Sequence, residues 1–248
     1  MADAIRHLEH ISLRAWPALE TQLYDGWLLR FSNGYTGRAN SVNPFDGSSL
    51  SLDEKIAYCE NLYAKRQLDM RFRMNEAVFP SELDATLAQH GYDYFSETHV
   101  LVCDLAQHPP MTDTRFQFTE KFTEKWLAAY TSMNDTAPRH IPTLHAMLQN
   151  IESDTCFGSM MGDAAVGLAV RKDNFVGLFD IVVDASQRRQ GLGKGLVSSL
   201  MAWGLSQGAS SAYLQVVAEN APAQTLYAHL GFALHHKYWY RIKCYKVL

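Results

Sequence analysis

The sequence predicts an α/β protein built on a mixed sheet. Three features carry that expectation. The second half reads as strands in series followed by strand–helix–strand–helix–strand. Helical and strand periodicities alternate through the first half. A composition of 47% apolar and 19% charged residues is that of a chain with a packed core, and excludes a disordered or fibrous one. The 248 residues suit one large unit or two small ones. The polar, proline-bearing stretch 106–113 marks the boundary, giving expected domains of 1–105 and 113–248.

Taken in order, residues 25–31 and 36–43 read as strands around the turn Ser32-Asn33-Gly34. Residues 52–66 place Ile56, Cys59, Leu62 and Tyr63 at helical spacing behind Ser51, a natural N-cap. A strand over 70–74, a helix over 81–90 stopped by Gly91, and an apolar strand over 99–105 follow. Residues 126–133 and 141–150 read as helices, and 155–161 with 164–171 as a hairpin around Gly162-Asp163. A strand over 175–183, a helix over 193–207, a strand over 212–217, a helix over 221–230 and an aromatic strand pair to Leu248 complete the order. Offset by 140 residues, 86–92 lies over 226–232; each ends a helix with glycine plus an aromatic, as two copies of one fold would.

Charge and cysteine usage narrow the class. Residues 1–110 hold 9 Lys+Arg against 15 Asp+Glu, and residues 111–248 hold 13 against 11. A small anionic ligand in the second half fits this balance better than a nucleic acid, which demands a strongly basic face. Cys59, Cys103, Cys156 and Cys244 stand far apart with no CxxC pair, so neither a metal site nor a disulfide framework is expected. No apolar run approaches the ~18–20 residues that span a bilayer. The start lacks a signal peptide's apolar core, so a cytoplasmic chain without a membrane partner is expected.

The most informative stretch runs from Phe179 to Leu196. A buried strand enters a loop with Arg188, Arg189 and three glycines (Gly191, Gly193, Gly195), then opens into a helix. Glycines admit close backbone approach, and consecutive N–H groups at a helix start cradle an anion. With Lys194 adding charge, the chemistry points to a phosphate or pyrophosphate. A P-loop needs Ser or Thr where Gly195 stands. A Rossmann fingerprint needs its third glycine where Leu196 stands.

Arg188-Arg189-Gln190-Gly191-Leu192-Gly193 resembles the Q/R-x-x-G-x-G/A signature of the GNAT superfamily, the acyl-CoA-dependent N-acyltransferases. A second block agrees in order and spacing: Val216-Val217-Ala218-Glu219-Asn220 through Tyr227, then Leu230-Gly231-Phe232. The resemblance covers roughly 113–248 and implies a GNAT-type fold there. It also implies acetyl-CoA as co-substrate, with the pyrophosphate on amides of Arg189, Gln190, Gly191, Leu192, Gly193, Lys194 and Gly195. The pantetheine arm would lie along Ile181, Val182 and Val183, beside Asn220 and Ala223. An N–H near Ile181 would hold the oxyanion, Tyr227 would protonate the leaving thiolate, and no residue would be acylated. The family's strand glutamate falls on Gly177, so the usual base is absent. Asp180, an acid in an apolar strand, is the candidate base or amine-binding group, or else one arm of a salt bridge. Asp135, His140 and His145, on the helices that shape the acceptor pocket, are further candidates.

The first half carries no Q/R-x-x-G-x-G/A, and Leu87 stands where the tyrosine would. It reads as a degenerate, non-catalytic GNAT-like copy, which leaves one active site per chain. Arg38 and Asn40 alternate in a polar strand, forming either a substrate-contacting face or a solvent face. The expected function is acetyl-CoA-dependent N-acetylation of a primary amine, in a small molecule or amino acid, by a monomer or homodimer. A catalytically silent acyl-CoA sensor and a protein lysine or N-terminal acetyltransferase are the alternatives.

Overall fold

The computed structural model describes residues 2–47, 49–160 and 162–245. It divides into two compact units, Met1–Thr98 with His236–Leu248, and His99–His235.

The first unit opens on α1 (Ala2–Ala15), a helix absent from the sequence expectation. Ile5, Leu8 and Ile11 sit at helical spacing and are buried, but histidines and charges dilute the pattern. Strands β1 (Glu20–Tyr24), β2 (Trp27–Phe31) and β3 (Val42–Pro44) follow. Then come α2 (Leu52–Lys65), β4 (Met70–Asn75), α3 (Leu83–Gln89) and β5 (Asp93–Asp104), the last running on into the second unit. Ser51 caps α2 as expected, in a reciprocal box with Glu54. Gly91, at φ +79°, ends the α3 segment.

Trp27, Leu29, Val42, Ile56, Phe72, Met74, Leu83 and Leu87 form this unit's apolar core. The alternate residues of the same strands build a buried polar layer. The Arg30 guanidinium donates to the carbonyls of Leu13, Trp16 and Arg38. Glu9 of α1 meets Arg73 of β4 and, at 2.7 Å, His236.

The expected strand over 36–43 is corrected. Gly37–Ala39 is a 3-10 turn, and only Val42–Pro44 is extended. Thr36 sits at φ +57° between Gly34 at +76° and the turn. Asn40 is buried, accepting from Ser32 and Gly34 N–H and donating to the Tyr35 and Thr36 carbonyls. Side-chain bonds to the local backbone thus replace the ladder, and Arg38 and Asn40 share no strand face.

The second unit adds β6 (Phe116–Thr119), α4 (Glu124–Met133), α5 (Ile141–Gln149), β7 (Asp154–Met160), β8 (Ala165–Lys172) and β9 (Phe175–Val183). These are followed by α6 (Leu192–Ser206), β10 (Ser211–Val217), α7 (Ala221–His229) and β11 (Ala233–Lys243). The short β6 was missed by the sequence pattern. Among the described residues the expected closing strand pair is one strand, β11, whose last residues pair antiparallel with β4 inside the first unit; residues 246–248 lie outside them. In the β7–β8 hairpin, Gly162 and Asp163 both have positive φ, as a two-residue turn requires; Met161 lies outside the described residues.

Strand order in this unit is β5-β10-β9-β8-β7-β6. One face buries Leu178, Leu196, Leu200, Leu214 and Val216 in an apolar core under α6 and α7. Across the sheet, Trp126 of α4 stands edge-on to Phe157 and donates to the Gly158 carbonyl at 3.0 Å. Among the described residues no helix is long and apolar enough to cross a membrane.

Candidate active site

The sheet of the second unit opens where β9 and β10 part. These parallel strands pair only from Ser211↔Phe175 to Leu214↔Leu178. Beyond that, Ile181–Val183 and Val216–Val217 are not paired with each other. A bulge sets the divergence. Leu168 faces Phe179 and Val166 faces Val182, so Asp180 and Ile181 together oppose Gly167. Asp180 takes φ +52°, which an aspartate tolerates better than most side chains. Gly167 is needed there, since a Cβ would come within 2.6 Å of the Ile181 side chain and 3.2 Å of Leu196 and Leu200. An interior strand glycine is the sequence signal for this bulge, and it went unread.

The loop after β9 is laid out for an anion. Asp184 accepts from Ser186 N–H and Oγ at 2.8 and 2.6 Å, fixing a 3-10 turn over Ala185–Gln187. Those bonds also hold its carboxyl below the usual range. Arg188 donates to the Val183 carbonyl at 3.3 Å, and Gln190 to Gln187 at 3.2 Å. Arg189, at φ +63°, and Lys194 are exposed. Gly191 starts α6 at φ +77° with no side-chain cap. The first intrahelical bond is Gly195 N–H to the Gly191 carbonyl, 3.0 Å. The N–H groups of Leu192, Gly193 and Lys194 precede it, at the positive end of a 15-residue helix.

Helix α7 closes against this loop. A Cβ on Gly193 would lie 3.3 Å from Leu226 and 3.7 Å from Val183. Ile181, Val183, Leu192, Ala223, Leu226 and Tyr227 thereby share one apolar cluster. Tyr227 is buried edge-on to Phe232, at 5.9 Å between ring centroids, and burial raises its phenol pKa, so it holds its proton at neutral pH. Asn220 caps α7 by accepting from Ala223 N–H at 3.2 Å.

Gly177, where the resemblance places a glutamate, is filled from the neighbouring strand. A Cβ there would lie 2.5 Å from both the Cζ and Oη of Tyr213 and 2.7 Å from Phe179. Tyr213 pairs directly with Gly177 and is wholly buried, a substitution that sequence reading missed. The other candidates separate. Asp135 and His140 lie at the α4–α5 connection. His145 turns instead to Glu124, at 3.5 Å, and to the Phe122 ring. Among the described residues no cluster of three or more His, Cys, Asp or Glu could hold a metal.

The family described as "Probable histone acetyltransferase Rv0428c C-terminal" matches residues 2–241. The chain belongs to this family. The Mycobacterium tuberculosis protein named "Probable histone acetyltransferase Rv0428c" is 31% identical over 94% of this chain and 72% of its own length. "Uncharacterized N-acetyltransferase YobR" of Bacillus subtilis is 28% identical over 97% of this chain and 99% of that protein. A solved tandem GNAT protein from the clavulanic acid biosynthesis pathway covers all of this chain and 88% of its own, with a TM-score of 0.61 at 12% identity. The fold is that of a tandem GNAT protein, and the chain is a GNAT-superfamily N-acetyltransferase.

Proposed function

We propose that the chain transfers an acetyl group directly from acetyl-CoA to a primary amine, at one site in the unit 99–235. The opening between β9 and β10, immediately ahead of an uncapped, arginine-flanked helix start, is the observation that carries this reading. An amide-bearing arm fits between separated strands as an added strand would. A pyrophosphate fits the N–H groups of Leu192, Gly193 and Lys194, with Arg188, Arg189 and Lys194 supplying charge. Asn220 and Ala223 border the same cleft on α7.

In this reading the Ile181 N–H, re-aimed by the bulge, stabilises the oxyanion as the amine attacks the thioester carbonyl. The C–N bond forms, the C–S bond breaks, and the departing thiolate takes the Tyr227 proton. Asp180, at the bulge, takes the amine's proton through water. Burial raises the Cys59 and Cys156 thiols to about 12 and Cys103 to about 11, leaving them poor nucleophiles at neutral pH. This argues against an acyl-enzyme on any of these three cysteines. The unit 1–98 with 236–248 is a GNAT-like partner domain without a phosphate loop.

The acceptor is a small amine or amino acid. A protein amine is the second reading, favoured by the name of the M. tuberculosis relative. Following CoA-thiol release from acetyl-CoA over small amines, amino acids and basic peptides tests the proposal. Amine-dependent release supports it and the preferred class names the acceptor, whereas tight acetyl-CoA binding without turnover on any amine would replace it with a sensor.

A further inference from the structure

One cavity in the second unit lies away from the proposed acetyl-transfer site. It is a cleft of about 780 Å³, bounded by the β6–α4 connection, α5, the start of β7 and the end of α6. Strand register fixes its place. Asp154 opens β7 opposite Arg171, and Arg171 faces Val176 near the start of β9. The phosphate loop leaves the other end of that nine-residue strand, ~25 Å away at ~3.3 Å per residue.

Its chemistry differs from that of the loop. Phe122 stands edge-on to His145 at 5.1 Å and tilted to Phe157 at 5.8 Å, and Trp203 of α6 adds a third aromatic wall. Around these rings stand the carboxylates of Glu120, Glu124 and Asp154, against one lysine, Lys121. Glu124 has His145 at 3.5 Å, and Asp154 has Arg171 at 4.0 Å. Glu124 and Asp154 remain largely exposed, so both can still meet a ligand. Aromatic faces and carboxylates together attract an organic cation, the rings through their quadrupole and the acids through charge. The volume suits a small molecule.

We propose that this cleft is a second ligand site, taking a small organic ammonium ion with an apolar body. The assignment stands independently of where acetyl transfer occurs. Calorimetric titration of the full chain with phenethylamine hydrochloride, without acetyl-CoA, tests it. Saturable binding is expected that persists in Gly191→Asp and Tyr227→Phe. A Glu120→Gln/Glu124→Gln double variant, checked for native circular dichroism, should bind at least about tenfold more weakly. The neutral analogue 2-phenylethanol should bind far less. Absence of saturable binding would overturn the proposal. So would equal binding of the alcohol, or binding that survives the double variant and is lost in Tyr227→Phe.

Discussion

Replacing Gly191 with aspartate and, in parallel, with asparagine isolates the electrostatic part of cofactor binding. Both side chains meet open space, since nothing lies within 4 Å of a Cβ at this position. Both tolerate the φ of +77° at similar strain, on the order of 1 kcal/mol, so their folded states should be nearly equally stable. They differ by one negative charge at the helix start. At ~5 Å from a phosphate charge and an effective dielectric of ~20, that charge costs about 3 kcal/mol, or roughly 200-fold in affinity. Titration calorimetry with CoA should therefore find Gly191→Asn close to the native protein and Gly191→Asp some two orders of magnitude weaker, the gap narrowing with added salt. Equal affinity of the two variants would show that the pyrophosphate does not sit on this helix start.

Three other outcomes follow from the same geometry. Tyr227→Phe keeps the packing against Phe232 and should lower kcat by ~10²–10⁴-fold with little change in CoA affinity; a variant that loses affinity and keeps kcat would make the hydroxyl a ligand instead. Gly177→Glu should not supply a base: its Cβ collides with Tyr213 and Phe179, so stability should fall by ~1–3 kcal/mol in a thermal melt, and a stable, faster variant would refute this. His236, beside Glu9, Arg73 and Glu76, has its pKa lowered to about 4 by burial first and then by Arg73. Its contribution is therefore complete above about 6.5 and is lost as pH falls toward about 4. Urea midpoints across that window should fall in the native protein and flatten in His236→Gln; identical slopes would refute the assignment.

The second half was legible because its signals are local. A glycine-rich helix start and the Gly162-Asp163 turn each depend on residues adjacent in sequence, and each appears where the spacing put it. What escaped depends on cross-strand partners. Gly177 reads as a missing glutamate until Tyr213 is seen lying over it, and Asp180 reads as a strand residue until the register slips at Gly167. In the first half, alternation at Arg38 and Asn40 imitated a strand. The buried Asn40 amide instead ties five backbone groups into a turn, the Ser32 carbonyl among them, a use of a polar side chain that periodicity does not register. The terminal strand's pairing with β4 is likewise a contact between residues far apart in sequence, beyond any window read along the chain.

A single-turnover experiment with acetyl-labelled acetyl-CoA, an accepted amine and rapid acid quenching tests the central claim most directly. One equivalent of label per chain should move to the amine nitrogen at the rate CoA thiol appears, with no label on the protein at any time. Label passing through the protein, or two equivalents transferred per chain, would contradict direct transfer at a single site.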